Sequence, residues 1–180
     1  MAFTVFITGA SSGIGAALAQ EYAQKGAVVG LVGRRREVLE DVRARMNHPE
    51  NHEIYAADVT VETELHDAAR AFIAKHGAPD VVIAAAGISV GTWTEYYEDL
   101  AHIRRVFDTN VFAMASTFHP FIAPMKAAKK GSLVGIASVA GIRGLPGSEA
   151  ICIVSSRVRG MIVVAKPPRL RKTSRWRTCR

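Results

Sequence analysis

The sequence predicts an α/β domain built on a doubly wound, mostly parallel sheet. Three observations predict it. Short β-branched runs alternate with helical periodicities over most of the chain. The early runs are apolar throughout, as in strands covered on both faces. A glycine-rich turn separates the first strand from the first helix.

The elements follow in order. Phe3 to Thr8 reads as a strand that ends in glycines. Ile14, Ala17, Leu18 and Tyr22 recur at helical spacing, and Gly26 stops that helix. Ala27 to Val32 is a second strand, and Val38, Leu39, Val42 and Met46 mark a second helix. Glu53 to Ala57 is a third strand, followed by a helix through Leu65, Ala68, Ala69, Phe72 and Ile73 that ends near Gly77. Val81 to Ala84 is a fourth strand. Leu100, Ile103, Phe107, Val111, Met114 and Phe118 predict one long helix, and Leu133 to Ala137 a fifth strand.

Composition bounds what this domain does. The 180 residues favour one domain large enough to bury a core without staples. The two cysteines, Cys152 and Cys179, lie in no metal-ligand or disulfide spacing, so no metal is expected and a reduced, cytoplasmic setting is. Met1-Ala2-Phe3 lacks the basic start of a signal peptide, and no run approaches the ~18 apolar residues of a spanning helix. The net charge of +7 is unevenly placed. Residues 1–150 carry 14 Lys and Arg against all 16 Asp and Glu, whereas residues 151–180 carry nine Lys and Arg and no acid. The chain therefore divides into a near-neutral nucleotide-binding domain, 1–150, and a segment, 151–180, read as a helix remnant with a disordered basic tail.

Thr8 to Gly15, TGASSGIG, lies where a strand hands over to a helix, the context a dinucleotide-binding (Rossmann) turn requires. Gly9 permits the tight turn, Gly13 lets the backbone approach a pyrophosphate, and Gly15 lets helix and strand pack closely. Ser11, Ser12 and Ile14 complete the phosphate turn at the helix N-terminus. The cofactor is chosen at the end of the second strand. An acid there binds a ribose 2′-hydroxyl and implies NAD, whereas an arginine accommodates a 2′-phosphate. Gly33 is followed by Arg34, Arg35 and Arg36, so Arg34 and Arg35 are read as 2′-phosphate contacts and the cofactor as NADP. The alternative is a solvated charge run that opens the second helix.

TGASSGIG, Asp58-Val59 after the third strand, Ala86-Gly87 after the fourth, Asn110 on the long helix and Ser138 after the fifth agree in order and spacing with one family. Over residues 3–150 the chain resembles the Tyr-dependent short-chain dehydrogenase/reductases. The resemblance implies hydride transfer between a nicotinamide and a small carbonyl or alcohol substrate. By position, Asp58 and Val59 would hold the adenine, Ala86 and Gly87 would line the cofactor, and Asn110 would organise a proton-relay water. Ser138 would hydrogen-bond the substrate oxygen, with Ile88 to Trp93 and Gly144 to Gly147 bordering the substrate. Each also has a structural reading: Asp58 as a turn residue, Ser138 as a strand-end hydroxyl, Asn110 as a polar buckle. Family members often form homo-oligomers through the long helix and the helix after Ser138.

The sequence departs from the family in three places. Ala84-Ala85 stands where the family has an asparagine pair. Ile151 and Ser155 stand where it has the catalytic Tyr-x-x-x-Lys. The tyrosine is the family's general acid/base, and its lysine lowers the tyrosine's pKa and grips the nicotinamide ribose. Losing a positioned acid/base group costs about 10²–10⁴ in rate. Third, the family's two further strands are missing after this helix, which implies a sheet incomplete at its C-terminal edge. A frame shift or truncation near codon 151 would account for the last two departures. The other readings are a non-catalytic nucleotide sensor, a reductase using other groups, and a basic tail that binds nucleic acid or a membrane surface. The last is the weakest, because basic runs are more often merely solvated.

Overall fold

The computed structural model describes residues 2–143 and 147–158, with side chains to Ile153. The expected disorder of the last dozen residues, the basic tail, Cys179 and the border residues Gly144 to Pro146 lie outside them. Five strands form one parallel sheet: β1 (Thr4–Thr8), β2 (Val28–Gly33), β3 (Glu53–Ala56), β4 (Val81–Ala84) and β5 (Ser132–Gly135). Their spatial order is β3-β2-β1-β4-β5. The chain moves outward from β1 to β2 and β3, then returns to the other side of β1 for β4 and β5. That reversal leaves a crevice beyond the carboxyl ends of β1 and β4, where open α/β sheets bind ligands.

Helices α1 (Gly13–Gln24) and α2 (Arg36–Ala44) cover one face. Val5, Ile7, Val29, Leu31 and Ile83 point to it and pack with Ala19, Ala23 and Leu39. The other face carries α3 (Glu62–His76), α4 (Asp99–Phe107), α5 (Ala113–Ala128) and α6 (Glu149–Val158). Here Phe6 meets Phe121 and Phe72 at ring-centroid distances of 4.8 and 5.3 Å. A methyl group at Gly30 would lie 2.7 Å from the Phe72 ring, so the glycine lets the aromatic sit against the sheet. Burying each such ring contributes about 1.5–3 kcal/mol.

The single helix expected from Leu100 to Phe118 is a correction. It is three pieces: α4, a π-helical turn over Asp108–Phe112, and α5. The extra residue of the π turn displaces Asn110 from the regular helical face. Helix α5 also runs on to Ala128 through Pro120 and Pro124, supported by the packing of Phe118, Phe121 and Met125. Helix α6 crosses the compositional break at residue 150, and Ala150 is fully buried in the core. Among the described residues, β5 pairs with β4 alone. Among them, too, no helix is long and apolar enough to cross a membrane, and no cluster of three potential metal ligands occurs.

Candidate active site

The glycine turn follows β1 and bends under two steric constraints. Gly9 has φ +70°, and a methyl group on it would lie 2.6 Å from the Ala86 nitrogen. One on Gly15 would lie 2.2 Å from the Gly9 carbonyl oxygen. Both positions are closed by packing. Gly13 differs: its φ is +54°, and a methyl group there would meet nothing within 4 Å. Packing therefore leaves the space above Gly13 free.

Helix α1 starts beside that space. Ser12 is its N-cap, yet the hydroxyl makes no capping bond and the first turn holds no acid. The first N–H groups and the helix dipole are left to an anion. Ile14 is exposed, and Ser11 lies near Gly33 at the end of β2. These features fit a dinucleotide pyrophosphate.

Arg34, Arg35 and Arg36 are exposed at the start of α2. The Arg34 guanidinium lies 3.9 Å from Asp58 Oδ2. Asp58 Oδ1 accepts from the Thr60 backbone N–H at 2.9 Å and from its hydroxyl at 2.7 Å. Burial pushes the Asp58 carboxyl up, but the two Thr60 bonds and Arg34 together outweigh it and leave it below its ordinary range. Val59 is buried in the core, so its side chain faces inward and only its backbone is offered to a ligand.

A cavity of about 270 Å³ opens beyond β4 and β5. Ala86, Gly87, Ile88, Asn110, Ser138 and Ile151 line it. Ser138 caps a 3₁₀ turn, Val139–Gly141, and its Oγ accepts from the Ala140 N–H at 3.2 Å. Asn110 clamps the loop after β4 through both amide atoms. The amide holds that loop in place through one bond from each atom.

Within the Ile88 to Trp93 border expected from the resemblance, Thr92 also has a structural part that the sequence does not signal. Thr92 is fully buried, its N–H donates to the Gly147 carbonyl at 3.1 Å, and its hydroxyl accepts from the Ala150 N–H at 3.1 Å. A loop threonine thereby caps α6 from 58 residues away and ties that helix to the cavity's border loop. No sequence periodicity signals such a bond.

A parallel sheet in this order, with a glycine turn at its centre and a serine-bearing cavity beside it, is a Rossmann-type nucleotide-binding fold. The family model for short chain dehydrogenases matches residues 3–151, and the chain belongs to that family. It is similar to an uncharacterized oxidoreductase of Myxococcus xanthus, 36% identical over 153 residues that span 82% of this chain and 58% of the relative. It is also similar to the NADPH-dependent pterin aldehyde reductase of Arabidopsis thaliana, 31% identical across 98% of this chain and 78% of the relative. Among solved structures it resembles a short-chain dehydrogenase from Streptomyces avermitilis, with TM-score 0.81 and 30% identity over 89% of this chain and 58% of that one. The chain thus spans little more than half the length of two of these three proteins.

Proposed function

We propose that this chain binds NADP(H) along the carboxyl edge of its sheet and is an oxidoreductase domain whose proton-transfer step is disabled at position 151. The substrate class is a small carbonyl compound or the corresponding alcohol. The observation that carries the proposal is that Ile151 lines the same cavity as Ser138.

NADPH, when bound, supplies the hydride. The chain's own residues bind and orient. The turn at Gly9 to Gly15 and the uncapped start of α1 hold the pyrophosphate. Arg34 and Arg35 meet the 2′-phosphate. Three cations at the positive end of α2 repel one another and the helix dipole, and a bound phosphate relieves both. The NADPH dependence named for the Arabidopsis relative supports the same choice. Asp58 and the Val59 backbone border the adenine, and Ala86 and Gly87 the nicotinamide.

Ser138 donates its hydroxyl proton in a hydrogen bond to the substrate carbonyl oxygen. Reduction to the alcohol also needs a proton delivered to that oxygen. Ile151 is hydrocarbon and has none to give. The family's lysine position is Ser155, on the same helix.

The test is NADPH consumption with a panel of aldehydes and ketones, by the chain and by its Ile151→Tyr, Ser155→Lys variant. Both proteins should bind NADPH, and the variant should turn over about 10²-fold faster or more. Equal turnover by the unaltered chain would contradict the proposal.

A further inference from the structure

Away from the cavity, two helices bring a pair of histidines together. His66 on α3 and His119 on α5 stack with ring centroids 5.5 Å apart and planes 7° from parallel. His66 is half-buried and His119 is exposed. The backbones that carry them are held, because Leu65 and Phe118, the residues just before them, are buried in one core cluster. Among the described residues, no hydrogen bond or ion pair occupies either ring. No sequence spacing marks the pair, since the packing of α3 on α5 assembles it.

The spacing suits a shared ion. On a tetrahedral ion with metal–nitrogen distances of about 2.0–2.1 Å, two imidazole centroids lie roughly 5 Å apart. The torsion that turns a histidine ring is broad, so each ring can aim a nitrogen at a common point without moving its helix. Imidazole suits zinc, nickel and copper, whereas magnesium and calcium take oxygen ligands. Arg70, one turn beyond His66, would oppose a cation, but Asp67 pairs with it.

We infer that His66 and His119 form a surface site for one divalent ion of the zinc, nickel and copper class, which bridges α3 and α5. Among the described residues no third His, Cys, Asp or Glu joins the pair, so water fills the remaining positions. That makes an open, exchangeable site rather than a closed structural one. Neither histidine lines the cavity beside Ser138, so occupancy is read from binding and stability rather than from turnover.

The experiment is a calorimetric titration of the full, untagged chain with Zn²⁺ and, separately, Ni²⁺. The buffer is mildly alkaline, because only neutral imidazole binds metal. The tightest-bound ion should be one per chain. His66→Ala and His119→Ala should each weaken it by about 10-fold or more, since even a residue that only supports a metal ligand is worth that much. His48→Ala removes an exposed histidine beside Glu50 and should leave the affinity unchanged. Zinc should also raise the unfolding temperature of the unaltered chain and of His48→Ala, but not of the other two variants. No binding by the unaltered chain overturns the inference, and so does binding that survives the loss of either His66 or His119. If a variant fails to fold, broadening of the histidine ring signals of the unaltered chain by substoichiometric Cu²⁺ decides instead. His66 and His119 must then broaden together and first; broadening that begins elsewhere, or at one of them alone, contradicts the site.

Discussion

Asn110 grips the main chain of Ile88 from both sides: its Oδ1 accepts from the Ile88 N–H and its Nδ2 donates to the Ile88 carbonyl, each at 2.8 Å. The π turn makes this reach possible, and it joins the α4–α5 unit to the cavity wall. Replacing Asn110 with Ala strands both backbone groups. Each lost bond costs about 1 kcal/mol or more. Thermal unfolding of Asn110→Ala should therefore begin several degrees lower, at roughly 2–4 °C per kcal/mol for a chain of this size. An unchanged midpoint would show that water replaces the clamp.

At the opposite end of the sheet, Asp80 ties three strands together. Its Oδ2 accepts from the Thr4 N–H at 2.9 Å, its Oδ1 from Lys130 at 3.1 Å, and its backbone carbonyl from the Ser132 N–H at 2.9 Å. Asp80→Asn should cost less than Asp80→Ala, because an amide oxygen can still accept from Thr4. The difference, read from urea unfolding, should be about 1 kcal/mol. Equal losses would locate the effect in the Lys130 ion pair instead.

The alanine pair before Ala86 leaves a defect. Thr8 Oγ1 is buried with no hydrogen-bond partner, and Ala84 is its register neighbour across β1 and β4. Ala84→Ser would place a hydroxyl on the same face at little added volume. It should stabilise the protein by about 1 kcal/mol, because an unmade buried bond costs at least that. Calorimetry checks the sign. A destabilised variant would mean that the site is too tight for even one oxygen.

Tyr55 gives the chain a signature at high pH. Burial, aided by the nearby Glu53 carboxylate, pushes its hydroxyl up to about 12 from an ordinary 10.0. The folded state therefore keeps its proton while the unfolded chain loses it. Stability from this group is present below pH 10 and is lost as the pH rises toward 12. Ultraviolet titration should show one tyrosine ionising late, and Tyr55→Phe should flatten the alkaline loss. Asp58 acts at the other end. Its lowered folded value stabilises above the ordinary 3.8 and that contribution fades as acid protonates it.

Much of this was legible in the sequence, for identifiable reasons. The runs Phe3–Thr8 and Val81–Ala84 are apolar throughout because β1 and β4 are covered on both faces, so composition alone marks them. The turn at Gly9 to Gly15 was legible because its glycines answer to backbone geometry. The π turn was not. One inserted residue leaves the apolar period of 100–118 nearly intact while moving Asn110 to a new direction. Helix α5 outruns its expected end because packing around Phe121 and Met125 outweighs the local penalty of Pro120 and Pro124. The Thr92–Ala150 bond joins distant segments, which periodicity cannot register.

The central claim is that the glycine turn and the arginines at the start of α2 make an NADP(H) site in this chain. Its most direct test is a fluorescence titration of the chain with NADPH and, in parallel, with NADH, repeated on Arg34→Ala. The account predicts saturable binding of both, with NADPH favoured by about 10-fold or more and most of that preference lost in the variant. Equal affinities, a preference for NADH, or no binding of either would contradict it.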